Sequence, residues 1–170
     1  MKPLELCFFR HGIAVDPADP SVSSDPSGRS RPLTEEGILK THSAADGLKR
    51  MAISFDKLLT SPWLRAQQTA DILAEVLDLG TPEKLPELAG DHSLDQLIDA
   101  LAANHGRRTL LVGHEPLLSA TVASLLGADF QIELKKSGAC AIQMDTLPTD
   151  KAATLLWLLT PKQLRWIGRS

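Results

Sequence analysis

The chain has 170 residues, of which 43% are hydrophobic and 23% are charged, and its formal net charge is −3. A chain of this length and composition can bury a sizeable core, so we expect residues 1–170 to form one globular domain rather than a disordered protein. The mildly acidic balance disfavours a protein that binds nucleic acid by neutralising many phosphates, but it leaves open a small pocket for one phosphate group.

The cysteines and the N-terminal segment indicate the compartment. Cys7 and Cys140 both lie in apolar, strand-like segments and belong to no CxxC or metal-ligand pattern, so we expect two reduced thiols in the core. The sequence has no apolar run as long as a membrane span, and its first residues lack the apolar stretch of a signal peptide. We therefore expect a cytoplasmic protein that does not associate with membranes.

Hydrophobic runs and their periodicity predict alternating strands and helices. In chain order they are a strand at 4–9, a helix at 34–51, a strand at 57–60, a helix at 62–79, a helix at 94–103, a strand at 108–112, a helix at 116–126, strands at 140–144 and 154–159, and a last helical segment at 161–167. The intervening residues 13–33 are rich in Pro, Ser, Asp and Gly and are predicted to form a long surface loop, and residues 80–92 an irregular segment.

This alternation predicts an α/β fold, a single-domain three-layer sandwich whose mainly parallel central sheet carries helices on both faces. The two strands within 140–159 are suited to an antiparallel hairpin at one edge of that sheet. Thr34 is the predicted N-cap of the first helix. Ser61 is predicted to cap the next helix, with Pro62 at its first helical position.

In such a fold, ligands bind beyond the carboxyl ends of the strands, so the residues that follow each strand are candidates for a site. Arg10 and His11 follow the first strand, Arg65 comes shortly after the second, and His114 follows the strand at 108–112. Two arginines and two histidines are therefore expected at neighbouring strand ends. The strand ends offer no P-loop, GxGxxG motif or Ser–His–Asp order.

The two arginines indicate that the ligand is an anion. Arg65 falls in the first turn of its predicted helix, where the positive end of the helix dipole disfavours a cation unless an anion joins it. Arg10 directly follows an apolar run, where a half-buried charge is usually paired or bound to an anion. Gly12, next to His11, is expected to leave room for a ligand to approach the imidazole closely.

Together, these residues resemble the motifs of the histidine phosphatase superfamily, which has the phosphoglycerate mutase-like fold. The resemblance runs from about residue 4 to residue 161, and its details are similar to the SixA branch, the phosphohistidine phosphatases. Four segments carry it, in this order: Arg10-His11-Gly12, Arg31-Pro32-Leu33-Thr34 followed by Gly37, Thr60-Ser61-Pro62-x-x-Arg65-Ala66-x-Gln68-Thr69-Ala70, and Gly113-His114-Glu115-Pro116-x-Leu118.

The resemblance implies a phosphohistidine phosphatase, a metal-independent hydrolase that needs no cofactor. His11 would be the nucleophile and would form a phosphohistidine intermediate that water hydrolyses. Arg10 and Arg65 would clamp the phosphoryl oxygens, and His114, protonated when phosphate is bound, would stabilise their charge. The implied substrate is a phosphorylated histidine of a protein, such as a histidine-containing phosphotransfer domain, with inorganic phosphate as the product.

The chain departs from many members of the superfamily in the segment that provides their acidic proton donor. Mutases and many phosphomonoesterases take a Glu or Asp proton donor from an insertion between the central helices, whereas here that segment is short and offers Glu87 and Asp91. An alkoxide leaving group needs such an acid, but the less basic imidazole of a phosphohistidine can leave without a strong donor. The short segment therefore favours a phosphohistidine substrate.

Two other functions stay open at this point. A small-molecule phosphomonoesterase on the same fold would use Glu87 or Asp91 as its proton donor, and a non-catalytic phosphate-binding module would keep the anion pocket alone. A mutase is disfavoured because the chain lacks the inserted elements that would bind a bisphosphorylated substrate. Arg31, on the long loop, is a candidate contact to a phosphorylated partner protein. We expect no nucleic-acid or membrane partner and favour a monomer.

Overall fold

One six-stranded sheet with helices on both faces is the centre of the structure. The computed structural model describes residues 3–22, 24–129, 132–148 and 151–169. The strands are β1 (Leu4–Arg10), β2 (Lys57–Thr60), β3 (Glu83–Lys84), β4 (Arg108–Gly113), β5 (Ala139–Met144) and β6 (Thr154–Leu159). The helices are α1 (Glu35–Arg50), α2 (Leu64–Leu77), α3 (Leu94–Asn104), α4 (Leu117–Leu126) and α5 (Pro161–Ile167), and a 3₁₀ helix covers Pro86–Leu88.

The sheet has the strand order β3-β2-β4-β1-β5-β6. Strands β1 to β4 run parallel to one another, while β5 runs antiparallel to both β1 and β6. The predicted mainly parallel sheet and its antiparallel edge hairpin are therefore confirmed. The register places Arg10 beside Gly113 and Thr60 beside Val112, so β1, β4 and β2 end at nearly the same level.

Alternate side chains of the central strands enter two separate cores. In β1, Leu6 and Phe8 pack on the face covered by α3 and α4, whereas Cys7 and Phe9 pack on the face covered by α1, α2 and α5. Cys7 and Cys140 are buried free thiols, as predicted, and they lie on opposite faces of the sheet. Two apolar layers against one sheet make the predicted three-layer sandwich.

The start of α2 differs from the prediction. Ser61 does not cap the helix and Pro62 is not its first residue, because α2 begins at Leu64 and its N-cap Trp63 makes no side-chain capping bond. The backbone N–H of Ser61 donates to the carbonyl of Val112 at 2.9 Å, which keeps Ser61 extended alongside β4. The Ser61 hydroxyl accepts from the Trp63 N–H at 3.2 Å, so the serine stabilises the turn that precedes the helix.

The segment 80–92 contains more structure than the irregular segment that was predicted. The two residues of β3 extend the sheet beside β2, and the 3₁₀ helix follows directly. A strand of two residues shows no hydrophobic alternation, so no sequence pattern could reveal it. Within the described residues, none of the helices has the length and apolar character needed to cross a bilayer.

The segment 13–33 forms the predicted loop, and its described part contains turns but no helix or regular strand. An isolated bridge between Ala14 and Leu33 closes the base of the loop. Thr34 then caps α1, as predicted, by accepting from the Gly37 N–H at 2.9 Å. The loop is therefore tied to the start of α1, close to the strand ends.

A glycine in α1 lets α5 pack closely. A Cβ at Gly47 would overlap the backbone carbonyl of Leu164, whereas a Cβ at the exposed Gly80 would have no heavy atom within 4 Å. We expect Gly47→Ala to lower the free energy of unfolding by about 2 kcal/mol, since overpacking outweighs the better helix propensity of alanine. Urea denaturation measures this change. Gly80→Ala is the matched control and should leave stability unchanged or slightly raised; equal stabilities of the two variants would contradict this account.

Candidate active site

The parallel strands bring the predicted site residues together. Arg10 is the last residue of β1, and the N–H of the next residue, His11, donates to the carbonyl of Gly113 at 3.1 Å. His114 therefore follows β4 directly beside His11, and their ring centroids lie 4.9 Å apart. Arg65, in the first turn of α2, reaches the same point from the end of β2. The structure thus brings together the four residues that the sequence analysis singled out.

These four side chains line one cavity of about 310 Å³. The lining combines cationic side chains, two imidazoles, one indole and one carboxylate: Arg10, His11, Ala14, Arg31, Trp63, Arg65, Gly90, His114, Glu115 and Lys136.

His11 is held as a neutral imidazole with its Nε2 lone pair directed toward an arginine. Its Nδ1 lies 2.7 Å from the carbonyl of Gly12, which can only accept, so Nδ1 carries the proton. Nε2 accepts from the Nε–H of Arg65 at 3.2 Å. Burial lowers the pKa of His11 to about 3, aided by the charges of Arg65 and Arg10 and opposed by the Gly12 hydrogen bond. Neutral Nε2 is therefore the nucleophilic atom that this site offers.

Arg65 is buried, with 5% of its surface exposed, and remains charged. Burial, together with the neighbouring Arg31 and Arg10, lowers its pKa to about 10, well above neutral pH. Its Nη1 donates to the carbonyl of Gly28 at 2.9 Å, and its guanidinium lies 4.8 Å from the centre of the Trp63 ring. These contacts fix the guanidinium plane next to His11.

His114 is also neutral in the unliganded protein. Burial lowers its pKa to about 2, and the charges of the neighbouring arginines act in the same direction. Its Nε2 is 2.8 Å from the hydroxyl of Ser61, while its Nδ1 is buried and has no hydrogen-bond partner among the described residues. A bound phosphoryl group would have to supply the negative charge that the predicted protonation of His114 requires.

The arginines of the cavity are held by backbone carbonyls rather than by carboxylates. Nη1 of Arg10 donates to the carbonyl of Leu134 at 2.8 Å, and Nη1 of Arg31 donates to that of Val15 at 2.9 Å. The Nε atoms of both side chains are buried without a hydrogen-bond partner in the described part of the chain. A carbonyl fixes a guanidinium without neutralising its charge, so the cavity keeps a positive potential that attracts an anion.

Gly12 serves packing rather than ligand access. A Cβ at this position would overlap the hydroxyl of Thr41 in α1, a residue that is not part of the cavity lining. The Gly12 N–H donates to the hydroxyl of Thr69 in α2 at 3.0 Å. The expectation that this glycine leaves room for a ligand is therefore wrong, because the close neighbour is a helix of the protein itself.

The cavity lining contains one further predicted residue and three residues that were not predicted. Arg31, the candidate contact to a phosphorylated partner protein, lies in the lining of this cavity. The cavity lining also contains three residues that were not predicted to line it: Trp63, Glu115 and Lys136. Two of them lie within the quoted motifs, Trp63 two residues before Arg65 and Glu115 directly after His114. Lys136 belongs to the run Lys135-Lys136-Ser137-Gly138, whose sequence is consistent either with a contact to a partner or with solvated loop charges.

The two candidate proton donors do not line this cavity. Glu87 lies in the 3₁₀ helix, and no part of its side chain is among the cavity lining. Asp91 is exposed and pairs with Arg29 at 2.7 Å and with His92 at 3.1 Å. These pairs engage the carboxylate at the protein surface.

Comparison with known proteins identifies the family of the chain. The model of the histidine phosphatase superfamily (branch 1) matches residues 6–93, more than half of the sequence. The phosphohistidine phosphatase SixA of Escherichia coli strain K12 is 30% identical over 95% of this chain and 97% of its own length. The chain belongs to the histidine phosphatase superfamily.

Two further relatives agree with this membership. An uncharacterized protein of Picosynechococcus sp. strain PCC 7002 is 38% identical over 82% of this chain and 85% of its own length. The solved structure of the protein histidine phosphatase SixA complexed with tungstate matches with a TM-score of 0.81 and 26% identity, covering 95% of this chain and 99% of the other. The predicted fold and family are confirmed, and membership in the histidine phosphatase superfamily supports phosphatase chemistry.

The low pKa of His11 gives a direct prediction. At pH 5, about two units above a pKa of about 3, only about 1% of His11 should carry a second proton, whereas an imidazole of ordinary pKa would be almost fully protonated. The ¹⁵N NMR shifts of the His11 ring should therefore report a neutral Nδ1–H tautomer from pH 8 down to pH 5 in the absence of phosphate. His11→Gln assigns the signals, and a midpoint near pH 6.5 for His11 would contradict the prediction.

Proposed function

We propose that this chain is a phosphohistidine phosphatase that removes the phosphoryl group from a phosphorylated histidine of a protein. The observation that carries the proposal is the neutral Nε2 of His11, held 3.2 Å from the Arg65 guanidinium in a cavity that Arg10 and His114 also line. A nucleophile and the groups that bind phosphoryl oxygens then occupy one site, as in-line phosphoryl transfer requires.

The first step transfers the phosphoryl group to the enzyme. The Nε2 lone pair of His11 attacks phosphorus as the bond from phosphorus to the substrate nitrogen breaks, and the bonding pair of electrons leaves with the substrate imidazole. Arg10 and Arg65 bind the phosphoryl oxygens and balance their charge throughout, because a guanidinium stays protonated. His114 donates to an equatorial oxygen once the phosphoryl charge has raised the pKa of this histidine.

The second step releases phosphate. A water molecule attacks the phosphorus of phospho-His11, the N–P bond breaks, and its electron pair returns to Nε2. The water contributes its oxygen to inorganic phosphate, and its protons remain on the product or pass to solvent. His11 is then neutral again, held by its hydrogen bond to the Gly12 carbonyl at 2.7 Å.

Two observations support a phosphohistidine over a phosphate ester. Neither Glu87 nor Asp91 lines the cavity, so neither is placed to protonate an alkoxide. A phosphohistidine whose second ring nitrogen is protonated can lose a neutral imidazole, which needs no strong acid. The relative of 30% identity is itself named a phosphohistidine phosphatase.

The remaining parts of the proposal concern the setting of the reaction. We propose one histidine phosphatase domain over residues 1–170, acting as a monomer in the cytoplasm on a phosphorylated protein and releasing inorganic phosphate. Neither a cofactor nor a metal takes part in the proposed steps. Arg31 is proposed to contact the substrate because its side chain lines the cavity that receives the phosphoryl group.

Substrate preference tests the proposal. We expect kcat/KM for a protein carrying phosphohistidine to exceed that for small alkyl phosphate esters by about a thousandfold, because neither candidate proton donor lines the cavity and a general acid is worth about 10²–10⁴ in rate. Brief mixing with ³²P-labelled substrate should label the enzyme, and His11→Gln should not be labelled. A preference for an ester would identify a phosphomonoesterase, and binding without labelling or turnover would identify a non-catalytic phosphate-binding module.

The two candidate proton donors provide a separate prediction. Glu87→Gln and Asp91→Asn should each keep kcat within about twofold of the native value on a phosphohistidine protein, because neither carboxylate lines the cavity. The same variants should behave alike on aryl and alkyl phosphate esters. A loss with alkyl but not aryl esters would show that one of them is a proton donor, contrary to this proposal.

A further inference from the structure

Glu115, the carboxylate of the cavity lining, connects two elements of the site. It follows His114 directly and precedes α4. Its Oε2 accepts from the hydroxyl of Ser119 in α4, and its Oε1 accepts from the backbone N–H of Leu134 at 3.3 Å. Both oxygens of this carboxyl group therefore accept a hydrogen bond, one from a side chain and one from the backbone.

The peptide groups of Leu134 lie between Glu115 and a phosphate-binding arginine. The Leu134 N–H donates to Glu115, and the Leu134 carbonyl accepts from Nη1 of Arg10 at 2.8 Å. Leu134 is 1% exposed, so water cannot take over these two hydrogen bonds without disturbing the packing around this residue. The N–H of Ser137 also donates to the Arg10 carbonyl at 3.0 Å, so this loop follows the end of β1. Glu115 therefore helps to hold the Leu134 backbone, whose carbonyl in turn holds the guanidinium of Arg10.

Arg10 needs such support because it borders two cavities. Arg10 and Glu115 line both the phosphate cavity and a neighbouring cavity of about 470 Å³, which α4 and the segment around Ile132 complete. Among the described residues the Nε of Arg10 has no hydrogen-bond partner, so the contact of Nη1 with Leu134 is what anchors its guanidinium. The carbonyl of Leu134, held in place from Glu115, is the contact that selects one orientation.

We propose that Glu115 is a positioning residue, which acts through the Leu134 backbone to hold the Arg10 guanidinium toward the phosphate. This inference rests on the proposed function, because it assumes that Arg10 binds the phosphoryl group. Glu115 itself neither donates a proton nor contacts phosphorus in this scheme. Its contribution is to keep a charged donor preorganised, so that no reorientation of Arg10 accompanies binding.

Inorganic phosphate is the probe that separates this inference from the choice of substrate. Affinity is measured by isothermal titration calorimetry on the full chain, with kcat and KM measured on a phosphohistidine protein. Glu115→Ala should weaken phosphate binding by about tenfold and raise KM, which is the loss expected when a hydrogen bond to a charged group is disturbed. Glu115→Gln retains an oxygen that can accept from Leu134 and should stay within about threefold of the native affinity.

Glu133 offers a matched control in the same loop. It is exposed, pairs with Lys135 at 2.6 Å, and lines the neighbouring cavity near Arg10. Glu133→Ala removes the same charge without touching the Leu134 N–H, so phosphate affinity should not fall. Glu115→Asp, which keeps the charge but shortens the reach, is the second variant if Glu115→Ala fails to fold, and it should also weaken binding.

The possible outcomes are distinct. Rescue of phosphate affinity by Glu115→Gln, with equal melting temperatures for Glu115→Ala and Glu133→Ala, supports positioning. Unchanged phosphate affinity in Glu115→Ala or Glu115→Asp overturns it and leaves the proposed function intact. Loss of kcat in both Glu115→Gln and Glu115→Ala with unchanged affinity would make Glu115 a proton donor and also overturn it. Failure of the native chain to bind phosphate would overturn both proposals.

Discussion

The parallel pairing of β1 with β4 is the constraint on which the site depends. In this register Arg10 lies beside Gly113, so His11 and His114 leave the sheet at the same level and their rings meet at 4.9 Å. Strand β2 pairs with β4 from the other side and delivers Arg65 through the turn that follows it. A slip of one residue would turn Arg10 to the opposite face of the sheet and separate the two imidazoles.

The electrostatics of the cavity follow from how its cations are held. Backbone carbonyls of Leu134 and Gly28 fix the guanidinium groups of Arg10 and Arg65, and no carboxylate is paired with either among the described residues. Burial of the site, aided by the charges of Arg65 and Arg10, lowers the pKa of His11 to about 3 and so keeps this histidine unprotonated and nucleophilic. In the proposed reaction the charge that would bind the phosphoryl group thus also helps to prepare the nucleophile, and Glu115 acts on it through the Leu134 backbone.

The sequence was informative where a pattern is local or repeated along the chain. Buried strands and amphipathic helices were found within one or two residues at most ends, and Thr34 was recognised as a cap because capping involves residues only three apart. The prediction that Ser61 caps α2 is wrong because the helix begins only at Leu64, after a turn in which the Ser61 hydroxyl accepts from the Trp63 N–H. The prediction that Gly12 leaves room for a ligand is wrong because a Cβ at this position would overlap Thr41, a residue distant in sequence.

The sequence by itself determined the residue types of the site and the family, because Arg10, His11, Arg65 and His114 stand in ordered local motifs. The family model ends at residue 93, before His114, and the sheet register alone brings this histidine to His11. Only the tertiary structure decided which ring nitrogen of His11 is unprotonated, that Glu87 and Asp91 lie outside the cavity, and that Glu115 supports Arg10. These facts depend on contacts between residues far apart in sequence, and no local pattern encodes such contacts.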